Sequence, residues 1–394
     1  MSPMRRWLRR SLIGLAALVP AGVCAFFAFA PGLVERGRNK VVAADLPEID
    51  EPTRALHESL QIADMHSDTL MWDRDLLARS SRGHVDLPRL QEGNVALQVF
   101  SSVTKSPKGQ NYDANSADSD NITLLAVAQL QPPRTWKSLL ERSLHHADKL
   151  TVAAANSGGQ LRLVRTRGDL ESLLADRSAG RSVTGALFSV EGLQNLEGRI
   201  ENVDRLFDAG MRMAGFTHFF DNEVAGSMHG EVKGGLTDFG REVFAEMERR
   251  GVVVDLAHAS HPAMAEMLAL ATKPVVASHG GVQATCNVNR NLTDAEIRGV
   301  AETGGVVGIG YWDAAVGETT PAAVVDALEH VIAVGGLETA ALGSDFDGAT
   351  TVGWDTGRIA VITQELRNRG HGDDDIRAIM GGNTLRVMAQ VLPK

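Results

Sequence analysis

From Leu60 onward the chain alternates short apolar runs with longer segments in which apolar positions recur every three to four residues. The runs are IADM (62–65), VALQVFSS (95–102), GALFSV (185–190), MRMAGFT (211–217), VVVDLA (252–257), PVVAS (274–278), VVGIG (306–310) and AALGS (340–344). Each is β-branched or alanine-rich and too short for a helix, so each predicts a strand. Intervening segments such as FGREVFAEMERRG (239–251) and PAAVVDALEHVIAVGG (321–336) are amphipathic and predict helices. Strands alternating with helices in this way over roughly 330 residues suit a (β/α)8 barrel of TIM type. An open, doubly wound sheet satisfies the same periodicity. After the second run, SPKGQNYDANSADSDN (106–121) is polar and rich in Gly, Asn and Asp, which marks either a lid over a site or an ordinary surface loop.

Composition fits such a protein. Of the 394 residues 44% are hydrophobic, enough for a substantial core, and 40 glycines with only 5% aromatics suit many tight strand-to-helix turns. Net charge is −10, but residues 1–40 hold seven basic residues against one acidic, so the remaining 354 carry −16. An acidic body argues against a nucleic-acid partner, which would want a basic surface. Two cysteines, Cys24 and Cys286, exclude a disulfide framework.

The N-terminus adds a targeting signal. Four arginines precede an uncharged run from Ser11 to Val34, long enough to span a bilayer and oriented to send the following chain out of the cytoplasm. Ala28-Phe29-Ala30 has the form of a signal-peptidase site, but Pro31 disfavours cleavage, so an uncleaved anchor is the expectation over a cleaved signal peptide. Arg9-Arg10 also has a weak twin-arginine character. The expected organisation is an anchor over 1–34, a charged, proline-containing linker over 35–55 and a barrel domain over 56–394.

The chemistry lies where the runs end. His66 and Asp68 in DMHSDTL are two apart, a spacing that aims both side chains at one spot as a strand runs out. Glu191 ends the third run, His218 the fourth, His258 the fifth, His279 the sixth and Asp345 the eighth. Strand C-terminal ends share one mouth in a parallel barrel. His66, Asp68, Glu191, His258 and His279 supply imidazoles and carboxylates for a pair of divalent ions, with zinc favoured and manganese, cobalt or iron compatible. His145 and His146 read as solvent-facing on a helix, His229 and His261 as surface residues or supports behind the site, and His84 and the methionines of MRMAG as core or turn.

From about residue 55 to the C-terminus the sequence resembles the membrane (renal-type) dipeptidase family of zinc peptidases. The stretches that carry this are DMHSDTL, HVDLPRLQEGNVALQVF, SVEG, GGLTDFGREVFAEMERRGVVVDLAHAS, PVVASHGG, NRNLTD, GSDFDG and GGNTLRVM, in that order. The resemblance implies two zinc ions per chain, one held by His66 and Asp68, the other by His258 and His279, with Glu191 bridging. It implies that water activated between the ions attacks a dipeptide bond. His218 would donate to the oxyanion, Arg290 bind the substrate carboxylate and Asp345 carry a proton to the leaving amine, with Asp347 a rival for that last role. It further suggests a homodimer. Unlike animal members, this chain lacks the structural cysteines and a C-terminal apolar tail; its Ala/Arg/Gly-rich composition looks bacterial, which places the catalytic domain in the periplasm or at the cell surface. Alternatives are a related barrel amidohydrolase acting on N-acyl amino acids, lactams or lactones, and, more remotely, a tethered, non-catalytic binding protein.

Overall fold

The structure, a computed structural model, describes residues 22–394. Eight parallel strands close a barrel: β1 (Ile62–Asp64), β2 (Val95–Phe100), β3 (Thr184–Glu191), β4 (Met211–Gly215), β5 (Val253–Asp255), β6 (Val276–Gly280), β7 (Val306–Ile309) and β8 (Ala340–Leu342). Each pairs with the next, and β8 returns to β1 through Leu342 opposite Asp64, so the sheet is a closed (β/α)8 barrel, not an open one. All eight apolar runs became barrel strands. A further short strand, Leu161–Leu163, pairs with Thr184–Ala186 of β3, just ahead of the point where β4 takes over at Phe188. Its three residues are too few to register as a run.

Strand residues alternate between two apolar layers. Ala63, Met65, Leu97, Val99, Leu187, Met213, Val253, Val276, Val306 and Ala341 form one cluster, while Ile62, Val95, Phe188, Val190, Ala214 and Val254 join the larger cluster shared with the helices. Leu385 and Met388 of the C-terminal helix Asn383–Val391 pack against the first cluster. Gly381, just before that helix, lies so close to β1 that a Cβ there would sit 2.0 Å from Gln61 O, which brings this segment against the start of the strands. The other end of the barrel is left to the loops.

Helix starts follow from capping. Thr237 caps Asp238–Arg250, which ends at Gly251 in the left-handed region (φ 73°), and Thr293 forms a reciprocal capping box with Glu296 at Asp294–Glu302. Such caps satisfy the amide groups that a helix cannot pair internally.

The stretch expected as a linker is partly built into the barrel. Residues 22–38 are helical, Lys40–Val41 pairs in parallel with Thr351–Val352, and Asp50 caps the helix Glu51–Ser59. The cause is Glu35, whose buried carboxylate pairs with Arg74 and Arg82 and draws the segment onto the fold. Among the described residues no helix is long and apolar enough to cross a membrane; residues 11–21 of the apolar run lie outside those described. The polar loop 106–121 lies over the barrel mouth: Asn115 N–H donates to His229 O at 2.9 Å, and Trp312 Nε1–H donates to the Tyr112 hydroxyl at 3.2 Å.

Candidate metal centre at the barrel mouth

β1 stops at Asp64, and an extended stretch carries His66 and Asp68 beyond it. Ser67 holds that stretch, its N–H donating to Val99 O at 3.0 Å and its carbonyl accepting from Ser101 N–H at 2.7 Å. The two side chains converge, with His66 Nε2 3.6 Å from Asp68 Oδ1. Glu191 closes β3, His279 lies within β6, and His218, His258 and Asp345 each follow β4, β5 and β8 by three residues. His258 and Asp345 adopt φ values of 64° and 57°, a left-handed conformation that costs a residue with a side chain of order 1 kcal/mol. Strain of this kind at two strand ends is maintained by the rigid sheet beneath them.

Glu191 is the hub. Its Oε1 lies 2.8 Å from His258 Nε2 and 3.2 Å from His279 Nε2, while its Oε2 lies 3.6 Å from His66 Nε2 and 3.8 Å from His218 Nε2. Asp345 Oδ1 lies 3.9 Å from His66 Nε2. The imidazoles of His66 and His279 stack with ring centres 3.7 Å apart. Three overlapping groups have the spacing of a ligand set: His66, Glu191 and His279; Glu191, His218 and His258; and His66, Asp68 and Asp345. His218 and Asp345 are thus close enough to serve as ligands as well as in the substrate roles expected of them.

The donor set fits divalent metal ions. Both ring nitrogens of His66, both carboxylate oxygens of Glu191 and Oδ1 of Asp68 are buried without a partner in hydrogen-bonding geometry. Buried carboxylates left this way are costly, and cations relieve that cost directly. His258 Nε2 and His279 Nε2 face each other at 3.2 Å, and burial pushes both rings well below the usual imidazole range, so two lone pairs point into one space. Ligands about 2.0–2.2 Å from a shared zinc are separated by distances of this order. Burial also raises Glu191 well above the usual carboxylate range and raises Asp345 to about 8. His66 is held at about 10: burial opposes its charge, and Glu191, Asp68 and Asp345 outweigh burial.

Behind these groups stand two carboxylates that sequence reasoning missed. Asp64 accepts from His66 N–H at 3.1 Å, Gln98 Nε2 at 3.1 Å and Ser344 N–H at 3.0 Å, tying β1 to β2 and to the chain beyond β8. Asp255 accepts from Ala257 N–H at 3.0 Å, Ser278 N–H at 2.8 Å and the Ser278 hydroxyl at 2.5 Å; that hydroxyl lies 2.8 Å from His279 Nδ1. Such partners behind a ligand fix its orientation. A signal was present: an aspartate stands two or three residues ahead of His66 and of His258.

The remaining candidates separate clearly. Asp347, the rival to Asp345, is wholly buried and accepts from Thr69 Oγ1 at 2.8 Å, from His84 N–H at 2.7 Å and from Arg74, which hold it below the usual carboxylate range despite burial. His84 is core, as expected, its Nδ1 accepting from Asp347 N–H at 3.0 Å. His229 is a buried support, its ring stacked 4.5 Å from Phe219 and edge-on to His258 at 5.4 Å. His261 is half-exposed against Glu296. His146 corrects the expectation of a solvent-facing residue: it is 1% exposed and lies 2.8 Å from the Ser102 hydroxyl, because it shares the inward face of Leu139–Asn156 with Ser143, Ala147 and Leu150.

Above the ligands opens a cavity of 560 Å³, lined by Asp68, Glu191, His218, His258, His279, Arg290 and Asp345. Its apolar walls include Trp72, Tyr112, Phe219 and Trp312, and its size lies within the range of small-ligand sites. Arg290 is buried, with Nη2 donating to His279 O at 2.9 Å and lying 3.4 Å from His258 Nε2. His218 is pushed down to about 4 by burial, and its Nδ1 lies 3.3 Å from Lys105 O. Gly348 closes over the Asp345 carboxylate: a Cβ there would fall 2.0 Å from Oδ1.

The architecture is shared with solved structures. A metallopeptidase from Rhodobacter sphaeroides, solved with a phosphinate mimic of the dipeptide L-Ala-D-Ala, superposes with a TM-score of 0.71 at 22% identity, over 84% of this chain and 99% of that one. The probable dipeptidase PvdM from Pseudomonas aeruginosa superposes with a TM-score of 0.73 at 19% identity, over 87% of this chain and 98% of that one. In sequence, the dipeptidase aclJ of Aspergillus oryzae is 27% identical over 386 residues, 92% of this chain and 83% of that protein. Residues 51–392, which hold every strand end described above, match the family profile itself, and the chain therefore belongs to the membrane dipeptidase family, peptidase family M19.

Proposed function

We propose that the protein is a zinc dipeptidase with a binuclear site, in which Glu191 bridges one ion held by His66 and Asp68 and a second held by His258 and His279. The observation that supports it best is the division of Glu191: one carboxylate oxygen faces His66 and the other faces His258 and His279. When bound, such ions polarise the scissile carbonyl and lower the pKa of the attacking water.

The side chains around them have distinct tasks in this reading. Arg290 binds the substrate carboxylate from the cavity floor, where burial strengthens a charge-assisted hydrogen bond. Asp345 Oδ1 accepts the proton of the attacking water and returns it to the leaving amine. Burial, with the nearby Asp68 and Asp64 carboxylates, raises its pKa to about 8, and cations held beside it would lower it. His218 presents Nε2 to the carbonyl oxygen. Its Nδ1 lies 3.3 Å from Lys105 O, and a proton on Nε2 is what would let the ring donate to the growing oxyanion.

The apolar run before Val34 supports export or anchoring, with the barrel outside the cytoplasm, and the reading includes a homodimer. Sequencing the mature N-terminus from membranes and light scattering of the purified chain test those two points. The activity is tested by removing metal with a chelator and restoring it with zinc while following dipeptide hydrolysis. Loss and recovery of turnover is the expected outcome. Hydrolysis of N-acyl amino acids with no dipeptide turnover would transfer the site to the amidohydrolase alternative.

A further inference from the structure

Residues 34–42 precede the stretch 51–392 that matches the family profile, and two of them, Val34 and Arg38, line the cavity. Glu35, only 1% exposed, pairs with Arg74 and with Arg82 at 2.9 Å, and Arg74 in turn pairs with Asp347. Asn39 Oδ1 accepts from Ala349 N–H at 2.9 Å, Lys40 N–H donates to Thr350 O at 3.1 Å and Val42 N–H donates to Val352 O at 2.9 Å. The segment is thereby fastened along residues 347–352, directly after Asp345. Asp345, Asp347 and Ala349 all have positive φ values, so the loop it fastens is one that needs outside support.

This fastening brings Arg38 into the cavity wall beside Gly348–Thr351. Among the described residues the exposed Arg38 side chain makes no ion pair, whereas Arg74 and Arg82, which hold Glu35 of the same segment, are both paired. Arg290 stands against His258 and His279, whereas Arg38, an exposed side chain, lines the cavity together with Gly348–Thr351, the stretch that follows Asp345. A dipeptide whose terminal carboxylate is held by Arg290, and whose N-terminal residue reaches toward Gly348–Thr351, would bring that residue's side chain to Arg38. A cation there, left without a protein partner, is matched by a substrate anion.

We propose that Arg38 is a specificity-determining residue that selects dipeptides with an acidic side chain on the N-terminal residue. The proposal rests on the dipeptidase reading. Both fates expected of the N-terminal run, retention or cleavage after Ala30, keep residues 34–42 in the mature chain.

The test measures kcat/KM for aspartyl-alanine, alanyl-alanine and lysyl-alanine with the full chain, its Arg38→Ala and Arg38→Glu variants, and an Arg36→Ala control on the same segment but outside the cavity lining, with zinc content measured for each. Arg38→Ala is expected to lower the acidic-to-neutral ratio about 5- to 10-fold, mainly through KM, the size of one charge-assisted hydrogen bond at a partly solvated site. Arg38→Glu is expected to shift the preference toward lysyl-alanine, and Arg36→Ala to leave the ratio unchanged. An unchanged ratio in both Arg38 variants, or an equal change in the Arg36 control, would overturn the assignment while leaving the dipeptidase intact. No turnover of any of the three dipeptides by the zinc-loaded parent chain would instead overturn the dipeptidase reading, and this proposal with it.

Discussion

Asp345 and Asp347 stand two residues apart in GSDFDG, and their carboxylates face opposite demands. Asp347 is consumed by Thr69, Arg74 and the His84 amide, so it is a fixed anion that anchors the loop. Asp345 lies in the cavity with no such partners, and burial raises it. The sequence could order the two candidates only by distance from the strand end; the hydrogen bonds that separate them come from segments more than 250 residues away. In the same way the convergence of His66 and Asp68 was legible from their spacing, whereas the supporting roles of Asp64 and Asp255, although each stands two or three residues ahead of a candidate histidine, depend on Ser344 and Ser278, which only the folded barrel brings to them. Asp345→Asn is expected to keep both zinc ions and lower kcat by about 100-fold or more, the size of a general acid–base contribution. Loss of metal in that variant, measured by elemental analysis, would show Asp345 to be a ligand, as its group with His66 and Asp68 permits.

At the level of elements, strands were the easiest to read, because a buried parallel strand is apolar on both faces and stands out as a run. The strand Leu161–Leu163 was lost because Arg162 interrupts three residues that pair only with the start of β3. The inward turn of His146 could have been read from its four-residue spacing to Leu150 and its three-residue spacing to Ser143, but adjacent histidines suggested a polar surface. Residues 35–41 were hidden for a different reason. Their charges look solvated in sequence, and only the folded barrel supplies Arg74 and Arg82 for Glu35. The strand ends depend on their carboxylate ties. Asp255→Ala strands the Ser278 amide and hydroxyl and frees His279, so a loss of about 2–3 kcal/mol in urea unfolding, together with roughly 10- to 100-fold weaker zinc binding in a chelator competition, is expected. Normal zinc affinity in this variant would show that His279 is oriented without Asp255.

For the whole molecule, periodicity left open whether eight strands closed into a barrel or lay in an open sheet; the pairing of Leu342 with Asp64 decides it, and that contact spans nearly the whole domain. Stability across the fold carries a pH signature away from the metal centre. His57 is buried against Thr363 Oγ1 at 2.8 Å and Gly93 O at 3.2 Å, and burial lowers it from 6.5 to about 4. The folded state therefore prefers the neutral ring, so this contribution is complete above pH 6.5 and is lost as pH falls toward 4, by up to about 3 kcal/mol. His57→Gln should flatten the fall in unfolding free energy over that window; an unaltered slope would place the acid sensitivity elsewhere. The central claim concerns the bridge, and elemental analysis of the parent chain beside Glu191→Gln tests it most directly, since one carboxylate joins both halves of the site. Two zinc ions per chain in the parent, with one or none and no dipeptide turnover in the variant, is the predicted result; two ions retained with full activity in Glu191→Gln would contradict it.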